Sequence, residues 1–262
     1  MTGGVRVEKS GPVTTVIMNR PEARNAVNGP AAAGLYAAFD EFDKDDSAAV
    51  AVLWGDNGTF CAGADLTQAA SGGPAVDPGH LAVDRARELT QLLRRILKLP
   101  MPVIAAVDGH VRAGGLGLVG ACDIAVAGPA STFALTEARI GVAPSIISLT
   151  LLPKMTARAA GRYFLTGEKF GAAEAADIGL ITMASEDVGA TVASLTDAIG
   201  KASPQGLAAS KALTTASILE AFDRGADELT EQSARLFVSE EAREGMMAFL
   251  QKRTPRWGAA TP

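Results

Sequence analysis

Three places in this 262-residue chain set groups that could do chemistry at fixed spacings. The first is the glycine-rich stretch from Gly109 to Asp123, which follows the apolar run Val103 to Val107 and carries Gly114, Gly115, Gly117 and Gly120. Its period changes from that of a strand, through a turn, to that of a small-residue helix bearing Leu116, Leu118 and Val119. Glycines there let a backbone approach a ligand closely, and free N–H groups at a helix start favour negative charge. The stretch therefore reads as an anion-stabilising turn, and glycines that merely permit close helix packing fit it equally well. The second place is Ala62-Gly63-Ala64-Asp65, a small-residue turn that also follows a strand and can present backbone N–H groups outward, with Asp65 capping or tying it. The third is Glu137, one carboxylate in the otherwise small or apolar segment Thr136 to Pro144. Such surroundings raise a carboxyl pKa toward the range useful for acid–base work.

The elements that must position these groups alternate. Val5 to Lys9 and Val13 to Asn19 flank Gly11-Pro12 as a β-hairpin, and Asn19 to Ala26 is a polar turn. Pro30 to Lys44 reads as a helix, Val50 to Gly55 as a buried strand, and Thr67 to Gly79 as a mobile loop rich in Ala, Ser, Gly and Pro. A helix over His80 to Leu99 stops at Pro100-Met101-Pro102, and the next strand feeds the glycine-rich stretch. Short strands follow at Asp123 to Ala127 and Thr132 to Leu135. Asp187 to Leu250 reads as helix, divided by Ser203-Pro204 into segments that include Gly206 to Phe222, Asp227 to Phe237 and Ser239 to Leu250.

Composition narrows the classes of function. Hydrophobic residues make up 48% and charged residues 20%, the usage of a globular protein with a sizeable core. A net charge of −5 with scattered Lys and Arg argues against nucleic acid as a partner. Cys61 and Cys122 are the only cysteines, and neither a disulfide framework nor metal-ligand spacing is present, so no metal is expected. Met1 to Ser10 lacks the apolar core of a signal peptide, and no apolar run reaches the ~20 residues of a membrane span. The expectation is a soluble cytoplasmic protein whose partners are small molecules or protein chains.

Five ordered segments carry a resemblance. Asn19-Arg20-Pro21 with Asn25-Ala26, Phe60 to Leu66, Pro102 to Val107, Ala113-Gly114-Gly115 with Cys122-Asp123, and Phe133 through Glu137 to Gly141 and Pro144 resemble the signatures of the crotonase superfamily of enoyl-CoA hydratases and isomerases. The likeness continues through Leu165 to Glu168, Ala172 to Ala176 and Gly179-Leu180-Ile181. It implies an α/β fold, a crotonase-like spiral of ββα units over residues 1–200, with a C-terminal helical trimerisation segment over 201–262. It also implies an acyl-CoA thioester substrate, with coenzyme A as part of the substrate and no separate cofactor, and a homotrimer or dimer of trimers. Apolar Leu229, Leu236, Phe237, Met246, Met247 and Phe249 suit subunit contacts and packing within the chain alike.

By the same resemblance the N–H groups of Ala64 and Gly114 form an oxyanion hole for the thioester carbonyl, and Glu137 is the acid or base. Arg24 and Ala26 match the turn near the CoA adenine. Ala62, Asp65, Leu66 and Thr67 lie along the pantetheine, and Gly115 and Gly117 belong to the substrate wall. The chain departs from the hydratase pattern at one place, since the first of two glutamates falls at Gly117. Three readings follow: a single-carboxylate 2-enoyl-CoA hydratase, a Δ3,Δ2-enoyl-CoA isomerase that needs one base, and a non-catalytic acyl-CoA binder. The Gly114 to Leu118 and Glu137 to Gly141 segments are similar to those of methylglutaconyl-CoA hydratases, whose substrate carries a distal carboxylate that Arg112, Arg85 or Arg87 could pair, although each reads more readily as a solvated or interface residue. Asp84 or Glu88 could reach the space beside Gly117. His110 reads as a packing or hydrogen-bonding residue, and Ser145 as the cap of the helix that follows it.

Overall fold

In the computed structural model of the chain, which describes residues 3–65 and 78–258, β1 (Val5–Ser10) and β2 (Val13–Met18) form the expected antiparallel hairpin, with Ser10 opposite Val13. Helix α1 (Gly29–Asp43) starts where the Asn28 side chain accepts a hydrogen bond from the Ala31 N–H at 3.0 Å. Strands β3 (Val50–Gly55) and β4 (Thr59–Cys61) lead toward α2 (Pro78–Lys98). Strands β5 (Val103–Val107) and β6 (His110–Arg112) lead into α3 (Gly114–Ala121). Then come β7 (Ile124–Ala127), β8 (Thr132–Ala134), α4 (Ser145–Leu151) and α5 (Ala157–Thr166). Strand β9 (Phe170–Gly171), α6 (Ala172–Asp177), β10 (Met183–Ala184), α7 (Val188–Gly200), α8 (Pro204–Phe237) and α9 (Glu240–Leu250) complete the order.

The strands divide between two sheets in a repeating way. One sheet has the order β1-β2-β3-β5-β7-β10, parallel except at the hairpin, and the other has the order β4-β6-β8-β9. The pairs β3/β4, β5/β6 and β7/β8 each give one strand to each sheet, so three successive turns of chain stack as a spiral. This is the expected α/β architecture. The central strands of the larger sheet are apolar on both faces, as buried parallel strands must be. Leu53, Ala105 and Ala125 join the main core, while Val52, Ala106 and Val126 pack with Val188 at the start of α7.

The long helix α8 corrects the expectation of separate helices over Gly206 to Phe222 and Asp227 to Phe237. A lone Gly225 weakens a helix by about 1 kcal/mol relative to Ala. Burial of Phe222, Ala226 and Thr230 on one continuous face outweighs that. Thr230 meets Thr90 of α2 through their hydroxyls at 2.8 Å, and Arg94 pairs with Asp223. Ile218, Phe222 and Ala226 belong to the same core as the spiral. Among the described residues no helix is long and apolar enough to cross a membrane.

Candidate functional site

The two small-residue turns touch. A Cβ placed on Gly63 would stand 3.0 Å from the Ala113 Cβ and 3.1 Å from the Arg112 carbonyl oxygen, and Gly63 has φ +91°. A side chain there would push the turns apart. Ala113 takes φ 46°, ψ −122°, a backbone that a residue with a Cβ adopts at about 1–3 kcal/mol. It is held by its N–H donating to the Ala134 carbonyl at 3.2 Å and by its carbonyl accepting from the Leu116 N–H at 2.8 Å. The strained residue aims the next N–H, that of Gly114, which opens α3 and so has no acceptor within the helix.

Ala64 is left with a free donor for a different reason. Val27 donates to the Gly63 carbonyl at 2.8 Å and accepts from the Asp65 N–H at 3.2 Å, so Ala64 forms a parallel bridge with Val27. In that pattern the residue between the two bonds turns its own N–H away from the partner. Among the described residues neither the Ala64 nor the Gly114 N–H donates a hydrogen bond. Both residues line one cavity of about 580 Å³, walled by α2, by Ile146 of α4 and by Phe237 and Met246 near the C-terminus. The arrangement can present donors to an oxygen that gains negative charge.

Glu137 begins a 3-10 turn, Glu137–Ile140, packed beneath α9. The fit is close: a Cβ on Gly245 of α9 would stand 2.5 Å from the Ile140 carbonyl carbon and oxygen. The residue is 8% exposed, and its Oε2 is buried without a hydrogen-bond partner. Burial pushes the carboxyl up to about 7, opposed only by a hydrogen bond from its own backbone N–H. Such a group exchanges protons near neutral pH. It stands outside the cavity lining.

The remaining expected residues fall into four groups. Asp65 lines the cavity and ties the turn, its carboxylate 3.3 Å from Arg20 Nη2. Arg20, which the sequence marks only as part of the Asn19-Arg20-Pro21 motif, also donates to the Ala26 carbonyl at 2.5 Å and so clamps the two segments together. Arg24 and Ala26 sit on the adjacent turn, where the Arg24 carbonyl accepts from the Ala62 N–H at 3.1 Å. Leu66, Thr67 and most of the loop Thr67 to Gly79 lie outside the described residues. Gly115 and Gly117 serve packing: a Cβ on Gly115 would be 2.8 Å from the Cys61 Cβ, and one on Gly117 would be 2.4 Å from Ile147 Cγ2 and 3.3 Å from Leu93 Cδ1. The space beside Gly117 thus holds aliphatic side chains. Glu88 does not reach it, lying instead with its Oε2 3.5 Å from a Cβ placed on Gly29, at the start of α1.

Of the three arginines, Arg85 lines the cavity and Arg87 does not. Arg112 is committed elsewhere, donating to the Thr132 carbonyl at 2.6 Å and to the Thr132 hydroxyl at 2.8 Å. His110 is a hydrogen-bonding residue as expected, its Nδ1 2.9 Å from the Thr132 hydroxyl. Ser145 corrects its expected role, because its Oγ donates to Gln232 Oε1 at 2.7 Å and does not cap α4. The sequence offered no sign of a partner 87 residues away. Burial pushes the Cys61 thiol up to about 11 and that of Cys122 up to about 12, which leaves neither as a thiolate nucleophile. Among the described residues no group of three His, Cys, Asp or Glu could hold a metal ion.

Comparison with known proteins agrees with this fold. The profile of the enoyl-CoA hydratase/isomerase family matches residues 8–260. The fold superposes with a TM-score of 0.90 on the crystal structure of an enoyl-CoA hydratase from Mycobacterium avium, at 57% identity over 98% of this chain and 100% of that one. Two Escherichia coli relatives are each 31% identical. The 2,3-dehydroadipyl-CoA hydratase aligns over 93% of this chain and 94% of its own length, and the 1,2-epoxyphenylacetyl-CoA isomerase over 96% of both. With a fold of stacked ββα turns, two uncommitted backbone donors lining one cavity and a matching profile over nearly its whole length, the chain belongs to the enoyl-CoA hydratase/isomerase family, within the crotonase superfamily.

Proposed function

We propose that the protein is a single-carboxylate enoyl-CoA hydratase. The observation that carries the reading is Glu137, a buried carboxyl with one unpartnered oxygen and a pKa near 7, in a chain whose Ala64 and Gly114 N–H groups are both uncommitted. In this reading ionised Glu137 accepts a proton from water as the water oxygen adds to the β carbon of a 2-enoyl thioester. The electron pair moves onto the thioester oxygen, held by Ala64 and Gly114. The enolate then takes the proton from Glu137 at the α carbon. Each donor of this kind is worth about 3 kcal/mol of barrier. The carboxyl must reach the cavity for this, so acyl-CoA binding has to loosen the contact between the Glu137–Ile140 turn and α9. Moving Oε2 breaks no hydrogen bond. Asp65 and Ala62 run along the pantetheine, Arg24 and Ala26 lie toward the adenine, and α8 with α9 supplies the contacts of a homotrimer.

A second reading has its own support. Because Ile147 and Leu93 fill the space beside Gly117, no second carboxylate stands there among the described residues to hold water, and a lone base suits Δ3,Δ2-enoyl-CoA isomerisation, in which Glu137 would take a proton from the α carbon and return it at the γ carbon. Incubation with 2-hexenoyl-CoA and with 3-hexenoyl-CoA, following the absorbance of the 2-enoyl thioester, separates the two. Loss with the first is hydration, and gain with the second is isomerisation. If Glu137→Gln retained wild-type turnover, neither mechanism could stand.

A further inference from the structure

The charged groups around the cavity are unequally matched. Asp65 faces Arg20, and Arg85 is engaged. The Glu88 carboxylate lies beside Gly29, the first residue of α1, where the N-terminal N–H groups of that helix favour a negative charge. Arg243 differs. It lines the cavity from α9, and among the described residues its guanidinium has no hydrogen-bond or ion-pair partner. Three residues further along α9 comes Met246 and four residues back stands Ser239, and both line the same cavity, so one face of the helix turns toward it. The next residue shows the contrast: Glu244 pairs with Arg253 at 2.7 Å, away from the cavity lining. The cavity as a whole is mainly apolar, with Leu81, Leu89, Ile146 and Phe237 in its lining. Arg243 is exposed and its guanidinium is free to take an anion that the ligand brings to the cavity, and a guanidinium takes a carboxylate through two parallel hydrogen bonds.

Resting on the proposed acyl-CoA chemistry, we infer that the enzyme acts on acyl groups that end in a carboxylate, with Arg243 as the residue that pairs it. The shared chemistry, an anion on the substrate, could also come from the phosphates of coenzyme A, and one experiment distinguishes the two sources. kcat/KM is measured for 2,3-dehydroadipyl-CoA and for 2-hexenoyl-CoA, six-carbon thioesters that differ in a terminal carboxylate or methyl group, with wild type, Arg243→Met and Arg243→Lys. The preference for the carboxylated substrate should fall about tenfold to a hundredfold in Arg243→Met, as expected for a lost charge-assisted pair, and be partly restored by Lys. An unchanged ratio overturns the assignment. If both rates fall equally, Arg243 serves the phosphates; if neither falls, it serves no part of the substrate. Calorimetric titration with saturated adipyl-CoA and hexanoyl-CoA reads the same preference without turnover, so failure of the hydratase reading remains distinguishable from failure of this one.

Discussion

Replacing Glu137 by Gln should separate stability from activity in a pH-dependent way. The carboxyl rises from an ordinary value of 4.5 to about 7 on folding, and its cause is burial. Below pH 4.5 it is protonated in both states and folding loses nothing. Between 4.5 and about 7 only the unfolded chain ionises, so stability falls as the pH rises, and above about 7 the whole difference is withdrawn. At about 1.4 kcal/mol per pH unit, that difference is about 3 kcal/mol. Gln keeps the shape and never ionises, but its NH2 group meets no acceptor where Oε2 now has no partner, which costs about 1 kcal/mol. The variant should therefore be less stable than wild type by about 1 kcal/mol at pH 4.5 and more stable by about 2 kcal/mol at pH 8, while losing turnover. Urea unfolding of both proteins at equal concentration and at the two pH values measures it. A stability difference that does not change with pH would refute the buried, high-pKa carboxyl and the mechanism built on it.

Other consequences follow from the same geometry. If ionised Glu137 is the base, kcat/KM should climb between about pH 6 and pH 8 with an apparent pKa near 7, and a flat profile would exclude that role. Gly117→Ala places a Cβ against Ile147 and should destabilise by about 1–3 kcal/mol. Combined with Ile147→Ala it should do less harm than the sum of the single changes, and additive effects in a double-mutant cycle would contradict the packing. Gly245→Ala, whose Cβ meets the Ile140 backbone, should cost a similar amount, read by thermal melting. Arg20→Ala removes the cation that ties Asp65 to the Ala26 turn. It should destabilise by up to about 3 kcal/mol, below the full cost of an orphaned buried charge because Asp65 keeps a further contact, and should raise KM for acyl-CoA.

How much of this could be read without coordinates depends on the range of the interaction. Local patterns are written in consecutive residues, and they sufficed for the opening hairpin, for α1 from Pro30 in its first turn, for α2 up to its terminating prolines, and for the glycine turn before α3. Ordered motifs added the spiral and the pairing of Ala64 with Gly114. The single helix α8 was not readable, because a glycine breaks the local signal while the packing that overrides it comes from α2, more than a hundred residues away. The same holds within the site. Sequence alone marked Gly117 as the place of an absent carboxylate, but only the tertiary structure decided that Ile147 and Leu93 fill that space, that Arg112 is tied to Thr132, and that Arg243 from the far end of the chain faces the cavity. Residue type and spacing determine which groups are available; their charge state and partners are set by neighbours that only folding brings together.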